Sequence, residues 1–260
     1  MKSAERQRIF NNLAVNRARH MRVLFLIYGA ASYLAFLLVF VYFMGFVGDV
    51  FVPQSVSHPA SAGFSKALLI DIGVMLLFGI QHSVMARAGF KSFMARVIPH
   101  TIERATYVLT SAIVLALLMF WWRPIEGTVW SVENPAARAA VWALFALGWL
   151  LIFISTFLTD HFDLFGLRQV WLHYVRRTYT DLRFTERLFY RSIRHPMMLG
   201  ILIAFWAAPV MSVSHLVFSI GMSLYVLVGI HFEEKGLQKA LGRDYVDYQK
   251  RTRKIVPGVY

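Results

Sequence analysis

Five long apolar stretches separated by basic loops leave this chain little choice but a bundle of membrane helices. Residues 23–47, 66–85, 105–122 and 139–158 each come close to the ~20 residues that cross a bilayer as an α-helix. The fifth stretch, 197–230, has 34 residues. As one straight helix it would run about 51 Å, far beyond a hydrocarbon core of about 30 Å. Pro209, followed by Met211-Ser212-Val213-Ser214-His215, offers a turn near its middle. The stretch therefore reads as a hairpin of two helices whose short first arm is either spanning or re-entrant. The expected fold is all-α: a polytopic bundle of five to six membrane segments with a C-terminal helical hairpin and an amphipathic tail. An apolar content of 58% agrees with that class.

Charge tests this reading. Residues 1–22 carry six Lys/Arg, segment 159–196 carries seven, and the tail from His231 carries seven more. The loop with Arg87, Lys91, Arg96 and Arg104 is also basic, whereas the loops with Lys66, and with Arg123 and Arg138, are poor. Rich and poor loops alternate, which by the positive-inside rule puts both termini in the cytoplasm, of a bacterial inner membrane by expectation. The net charge of +13 is spread in this pattern and is not a nucleic-acid footprint. No cleavable signal is expected, because 23–47 is too long for a signal core. With no cysteine, disulfides, thiolate metal sites and a cysteine nucleophile are excluded. The chain reads as one integral domain: a cytoplasmic segment 1–22, four spans in 23–158, a cytoplasmic segment 159–196, the hairpin 197–230 and a cytoplasmic tail 231–260. An interfacial amphipathic helix and a charged topology anchor both fit residues 1–22.

The most informative polar residues bracket the hairpin. Arg194-His195-Pro196 opens it and Glu233-Glu234 closes it, followed by Gly242, Tyr245 and Tyr248. Pro196 suits the first turn of a helix and holds His195 extended. Free N–H groups and the positive dipole end then lie beside Arg194 and His195, a setting that suits a carboxylate. Gly200 permits close approach of a ligand or another helix. Glu233 and Glu234 return to the same boundary, where carboxylates accept bonds from hydroxyl or amino groups; paired acids at a membrane helix end are by default functional. Taken singly, each residue has an ordinary explanation as a topology anchor or a partner of Lys235 and Lys239. The ordered set does not.

This set resembles the isoprenylcysteine carboxyl methyltransferase-like superfamily of membrane methyltransferases, whose signature is Arg-His-Pro, a Glu-Glu pair and a following Gly…Tyr…Tyr…Pro, here ending at Pro257. The resemblance implies S-adenosylmethionine as cofactor, held by Tyr190, Arg194, His195, Met198, Leu199, Gly200, Glu233, Glu234, Tyr245 and Tyr248. The family often has tyrosine where Met198 stands. A narrower likeness, to the bacterial methanethiol S-methyltransferases, is carried by the segments Gln81–Arg87, His161–Trp171, Phe205–Ala207 and Val228–Ile230. It implies S-methylation of methanethiol, or a similarly small thiol, to dimethyl sulfide.

Joining a thiolate to a sulfonium yields neutral products, so a dry site favours the step. Alkanethiols are largely protonated at neutral pH, as even cysteine has a pKa of about 8.5, which calls for a base or a positive environment. His82, near the cytoplasmic end of the second span, is the candidate base, with Gln81 beside it to orient base or thiol. His161 is the second catalytic candidate; either histidine fits the role of base. Asp163 and Asp71 are candidate substrate contacts, although Asp71 lies eleven positions before His82, roughly 16 Å further out. No metal-ligand spacing supports a metal. Prenylcysteine or lipid acceptors, a membrane reductase and an NnrU-like non-enzymatic role remain as alternatives. Membrane lipid is the expected surrounding.

Overall fold

The computed structural model of this chain describes residues 2–59, 63–180 and 186–256. In chain order the elements are α1 (Lys2–Gly48), α2 (Phe64–Met85), α3 (Ala88–Met94), α4 (His100–Trp121), β1 (Thr128–Ser131), α5 (Pro135–Leu158), α6 (His161–Leu164) and α7 (Leu167–Tyr174). A 3-10 turn (Leu188–Arg191), α8 (Pro196–Trp206), β2 (Val210–Ser212), α9 (Val213–Leu241) and α10 (Arg243–Arg251) follow. Helices α1, α2, α4, α5 and α9 are long and apolar enough to cross a membrane, and α8 is a shorter apolar helix. The chain is an integral membrane protein of the all-α class. Leu34, Leu38, Leu69, Leu76, Leu147 and Leu224 point outward and exposed, a surface that suits lipid.

Local chemistry sets the helix ends. The Asn134 side chain accepts from the Ala137 N–H at 3.0 Å, with Pro135 in the first turn, and starts α5. Ser212 accepts from the His215 N–H at 3.0 Å and starts α9. Gly242, at φ 60°, ends α9 and turns the chain into α10. Residues 2–22 do not form a separate interfacial helix. With no glycine or proline to interrupt them, they continue into the first span, giving one helix of 47 residues.

In the bundle α4 packs against both α1 and α2, α9 against α2, α8 against α9, and α5 against α8. At the end where α1 and α4 finish, Phe43, Phe46, Trp122, Trp149, Phe205 and Phe218 form an aromatic core joining α1, α5, α8 and α9. The Trp122 indole donates to the Val56 carbonyl at 3.0 Å and to the Ser214 hydroxyl at 3.1 Å. The Gln54 amide donates to the Met119 and Trp122 carbonyls and so satisfies the end of α4.

The hairpin is present, but its two arms differ. With 11 residues, α8 runs only about 16 Å. The chain then turns through residues 207–209 into β2, which pairs antiparallel with β1, Trp130 opposite Met211 and Ser131 opposite Val210. The Val132 N–H and the Trp130 indole satisfy the carbonyls of Pro209 and Ala208. Non-helical backbone is therefore tolerated because protein partners cover it. Apart from its length, α8 is fixed by contact with α5. A Cβ on Gly148 would sit 2.8 Å from the Ala204 nitrogen and the Gly200 oxygen, and one on Gly200 would sit 2.7 Å from the Gly148 oxygen. The two helices meet backbone to backbone, as small-residue interfaces do in lipid.

Gly148→Leu is expected to push α8 off α5 and to cost about 1–3 kcal/mol, as overpacking does. A lowered melting temperature in detergent checks this; an unchanged one would contradict the contact.

Candidate functional site

The residues bracketing the hairpin do converge. Proline at the first position of α8 leaves His195 as its N-cap and Arg194 just outside, while α9 carries Glu233 and Glu234 to the same end of the bundle. The Arg194 Nε donates to Glu234 Oε1 at 2.7 Å, with both side chains nearly buried (9% and 11% exposed). His195 places Nε2 at 3.3 Å from the same oxygen and Nδ1 at 3.7 Å from Glu233 Oε2. Lys254 Nζ lies 3.9 Å from the other Glu234 oxygen. Glu234 is thus engaged by protein cations. Glu233, about half exposed, keeps room for a ligand.

A strap formed by the tail closes the cluster. The Arg194 N–H donates to the Arg253 carbonyl at 2.8 Å and the His195 N–H to the Lys254 carbonyl at 3.1 Å, while the Arg253 N–H returns to the Ser192 carbonyl. Ile193 and Arg253 form a parallel bridge. The second guanidinium arm reaches the Gln249 and Thr252 carbonyls at 3.2 and 2.5 Å. Tyr245 and Tyr248 share the buried face of α10, and the Tyr248 hydroxyl donates to the Tyr190 carbonyl at 2.6 Å. Burial, and then the nearby Glu233 carboxylate, push the Tyr190 phenol above its usual pKa, so it stays protonated as a donor. Burial likewise raises Tyr248 to about 12. Met198 and Leu199 pack with Val226, Ile230 and Ile255, sealing the strap onto α8 and α9. The close face of Gly200 is taken by α5. Pro257 lies outside the described residues.

A second polar group sits between α2 and α4. His82 stacks on Phe78, with Nε2 2.9 Å from the Tyr107 hydroxyl and Nδ1 3.2 Å from the Ser111 hydroxyl. Gln81 donates to Ser111 at 3.3 Å, and its carbonyl oxygen is buried without a hydrogen-bond partner among the described residues. The Arg104 guanidinium lies 5.6 Å from the Tyr107 ring centroid. The α2–α3 corner links this group to the first: Arg87 lies 4.5 Å over the ring of Phe232, the residue before Glu233.

The other candidates lie elsewhere. His161 is buried in an aromatic cage, 4.3 Å from Phe157 and 4.8 Å from Phe165 between ring centroids. Both its nitrogens are engaged, Nε2 by Tyr33 at 2.6 Å and Nδ1 by Thr156 at 2.8 Å, so it ties α1 to the end of α5. Asp163 pairs with Arg168 at 2.9 Å, and Arg168 in turn holds Thr180. Asp71 accepts from the Arg123 N–H at 2.8 Å, near the opposite end of the bundle from Glu233. Tyr107, Ser111, Tyr33 and Lys254 carry no motif that would single them out. Their only sequence signal is a hydroxyl or ammonium on the same side of the membrane as a candidate acid or histidine.

Fold and site together define a polytopic helical membrane protein with a half-buried ionic cluster at the base of its C-terminal hairpin. The family model described as NnrU protein matches residues 70–258, and the chain belongs to that family. It is 48% identical over 236 residues to a methanethiol S-methyltransferase of Mycobacterium tuberculosis, covering 91% of this chain and 97% of that protein. A methanethiol S-methyltransferase of Crocosphaera subtropica is 43% identical, over 91% and 92%. Nurim of Sus scrofa is 28% identical over 204 residues, 72% of this chain and 78% of that protein. No solved structure matches the chain.

Removing one partner of a buried ion pair leaves the other uncompensated, so Arg194→Ala should cost about 3–5 kcal/mol of stability. Thermal unfolding in detergent reads it, and a wild-type midpoint would contradict the pair. Burial holds the His161 pKa below its ordinary value. Its neutral form therefore contributes stability that is present above about pH 6.5 and is lost as pH falls toward the lowered folded value. His161→Phe should flatten that acid-side slope, whatever its absolute stability.

Proposed function

We propose that this chain is an S-adenosylmethionine-dependent methyltransferase that methylates methanethiol, or a similarly small thiol, to the corresponding thioether. The observation that carries the reading is the convergence of Glu233, Tyr190 and the start of α8 in one ion-paired corner. The names of relatives up to 48% identical over nine-tenths of the chain support the same chemistry. By the alternation of basic loops, the site faces the cytoplasm and both termini lie on that side, as for a bacterial inner-membrane protein.

The donor set fits the cofactor. Glu233 is the carboxylate with room to accept from hydroxyl or ammonium groups, and Tyr190 is the neutral donor beside it. The first-turn N–H groups of α8, at Met197 and Met198, suit the carboxylate of an amino-acid moiety. Arg194, Lys254 and Glu234 hold the frame, and Tyr245 and Tyr248 keep the tail over it. When bound, S-adenosylmethionine supplies a methyl carbon activated by its sulfonium charge. His82 is the proposed base: a neutral imidazole that takes the thiol proton, with its ring held by Ser111 and Tyr107. Packing of the imidazole against Phe78, Tyr107 and Ser111 limits the water that would stabilise a free thiolate. His161, locked in its cage, serves packing, and so do Asp71 and Asp163 through the partners described above.

A second reading is a ligand-binding membrane protein without turnover. Headspace detection of dimethyl sulfide from purified protein, S-adenosylmethionine and methanethiol separates the two. Glu233→Ala should weaken donor binding by about ten- to a hundredfold, the loss of a charge-assisted hydrogen bond. His82→Ala should lower kcat by about 10²–10⁴-fold while leaving donor affinity nearly intact. Donor binding without dimethyl sulfide would point instead to a prenylcysteine or lipid acceptor. Neither binding nor product from folded protein would leave the non-enzymatic reading.

A further inference from the structure

Beside the His82 group lies a small cavity that no part of the ionic cluster touches. It sits between α3 and α4, has a volume of about 20 Å³, and is walled by Met85, Phe90, Met94 and Ile98, with Arg104 and Tyr107 on its α4 side. A space of this size takes a molecule of very few atoms. Two thioethers, one aromatic ring and one branched side chain make most of its wall apolar and polarizable, a surface that suits sulfur and short alkyl groups. Lys91 and Arg104 place two cations at its edge, with Glu103 as the one carboxylate beside them. Tyr107 connects the cavity to the base: it borders the cavity, and its hydroxyl lies 2.9 Å from His82 Nε2. Met85 also belongs to the α2–α3 corner whose Arg87 lies over Phe232, next to Glu233. The cavity thus reaches the proposed base through Tyr107 and borders the corner whose Arg87 meets the proposed donor site.

We propose that this cavity seats the acceptor thiol, with the sulfur toward Tyr107 and Arg104 and the alkyl end against Met85, Met94 and Ile98, and that its walls set the length of thiol accepted. This rests on the small-thiol methyltransferase reading above and deepens it. Tyr107 relays the proton: it takes the thiol proton in a hydrogen bond while its own proton passes to His82 Nε2, so the net transfer is from sulfur to imidazole. The sulfur lone pair then forms the new carbon–sulfur bond. The sulfonium carbon–sulfur bond breaks with its electrons left on the donor sulfur, and the proton on His82 returns to water. The cations at the rim favour the thiolate that forms between these events.

The test is a chain-length profile. Purified protein in detergent, with S-adenosylmethionine, is given methanethiol, ethanethiol, 1-propanethiol and 1-butanethiol, and kcat/KM is measured for each thioether in the headspace. Met94→Ala and, at a second position of the wall, Ile98→Ala widen the seat. Each should raise the ratio of 1-propanethiol to methanethiol turnover about tenfold or more, the scale on which a pocket discriminates a methylene. Met94→Trp, which fills the seat, should depress every thiol while donor binding stays as in the wild type. A general loss of stability would scale all thiols together and leave the ratio unmoved. Wild-type activity on methanethiol, with both alanine variants keeping the wild-type profile, would overturn the cavity assignment alone. A wild-type protein that binds S-adenosylmethionine yet methylates no thiol of the series would overturn the acceptor reading and the cavity with it.

Discussion

The ion pair between Arg194 and Glu234 is the constraint on which the lower half of this molecule depends. Each charge alone would be costly at the edge of a membrane; together, with His195 and Lys254 beside them, they are tolerated. Because Arg194 precedes α8, Glu234 lies on α9, and the carbonyls that accept from Arg194 Nη1 come from Gln249 and Thr252, the pair binds three separate parts of the chain at one point. It leaves Glu233, one residue earlier and half exposed, as the acid with spare hydrogen-bonding capacity. Adjacent glutamates thus divide into a buried, paired member and a half-exposed one.

The spans and the hairpin were legible because hydropathy reports the solvent a helix must meet, and lipid demands long apolar runs. The convergence of Arg194, His195, Glu233 and Glu234 was legible too, since a hairpin returns its two ends to one boundary. What could not be read depends on partners distant in sequence. The β1–β2 pairing joins Thr128 to Ser212 across a whole span, and the strap of Arg253 on Ile193 crosses all of α9. The cage of His161 is built from Phe157 and Phe165, which by composition are indistinguishable from lipid-facing rings. Hydropathy also missed the continuity of α1, because a change from polar to apolar does not end a helix that lacks a breaker.

The two ends of the bundle are stabilised by different physics. At the end with Trp122, interlocked aromatic rings and neutral hydrogen bonds from Gln54 and Trp122 close the helix termini. At the other end, charges and tyrosines do so. The first kind of closure is rigid and insensitive to salt. The second depends on charge, because in a network of ion pairs a change at one member re-weights the others. The Gly148–Gly200 contact joins the two regimes by holding α8 at a fixed depth.

The strap has a consequence for how the protein is made. Residues 252–255 leave the ribosome only after all the spans have been synthesised, yet they supply the carbonyls to which the N–H groups of Arg194 and His195 bond. Until they dock, the start of α8 lacks its β-partner and Arg194 lacks two of its acceptors. Insertion into the bilayer and closure of the Arg194 cluster are therefore separate events in time. A nascent chain can be fully threaded through the membrane while its ionic cluster is still open.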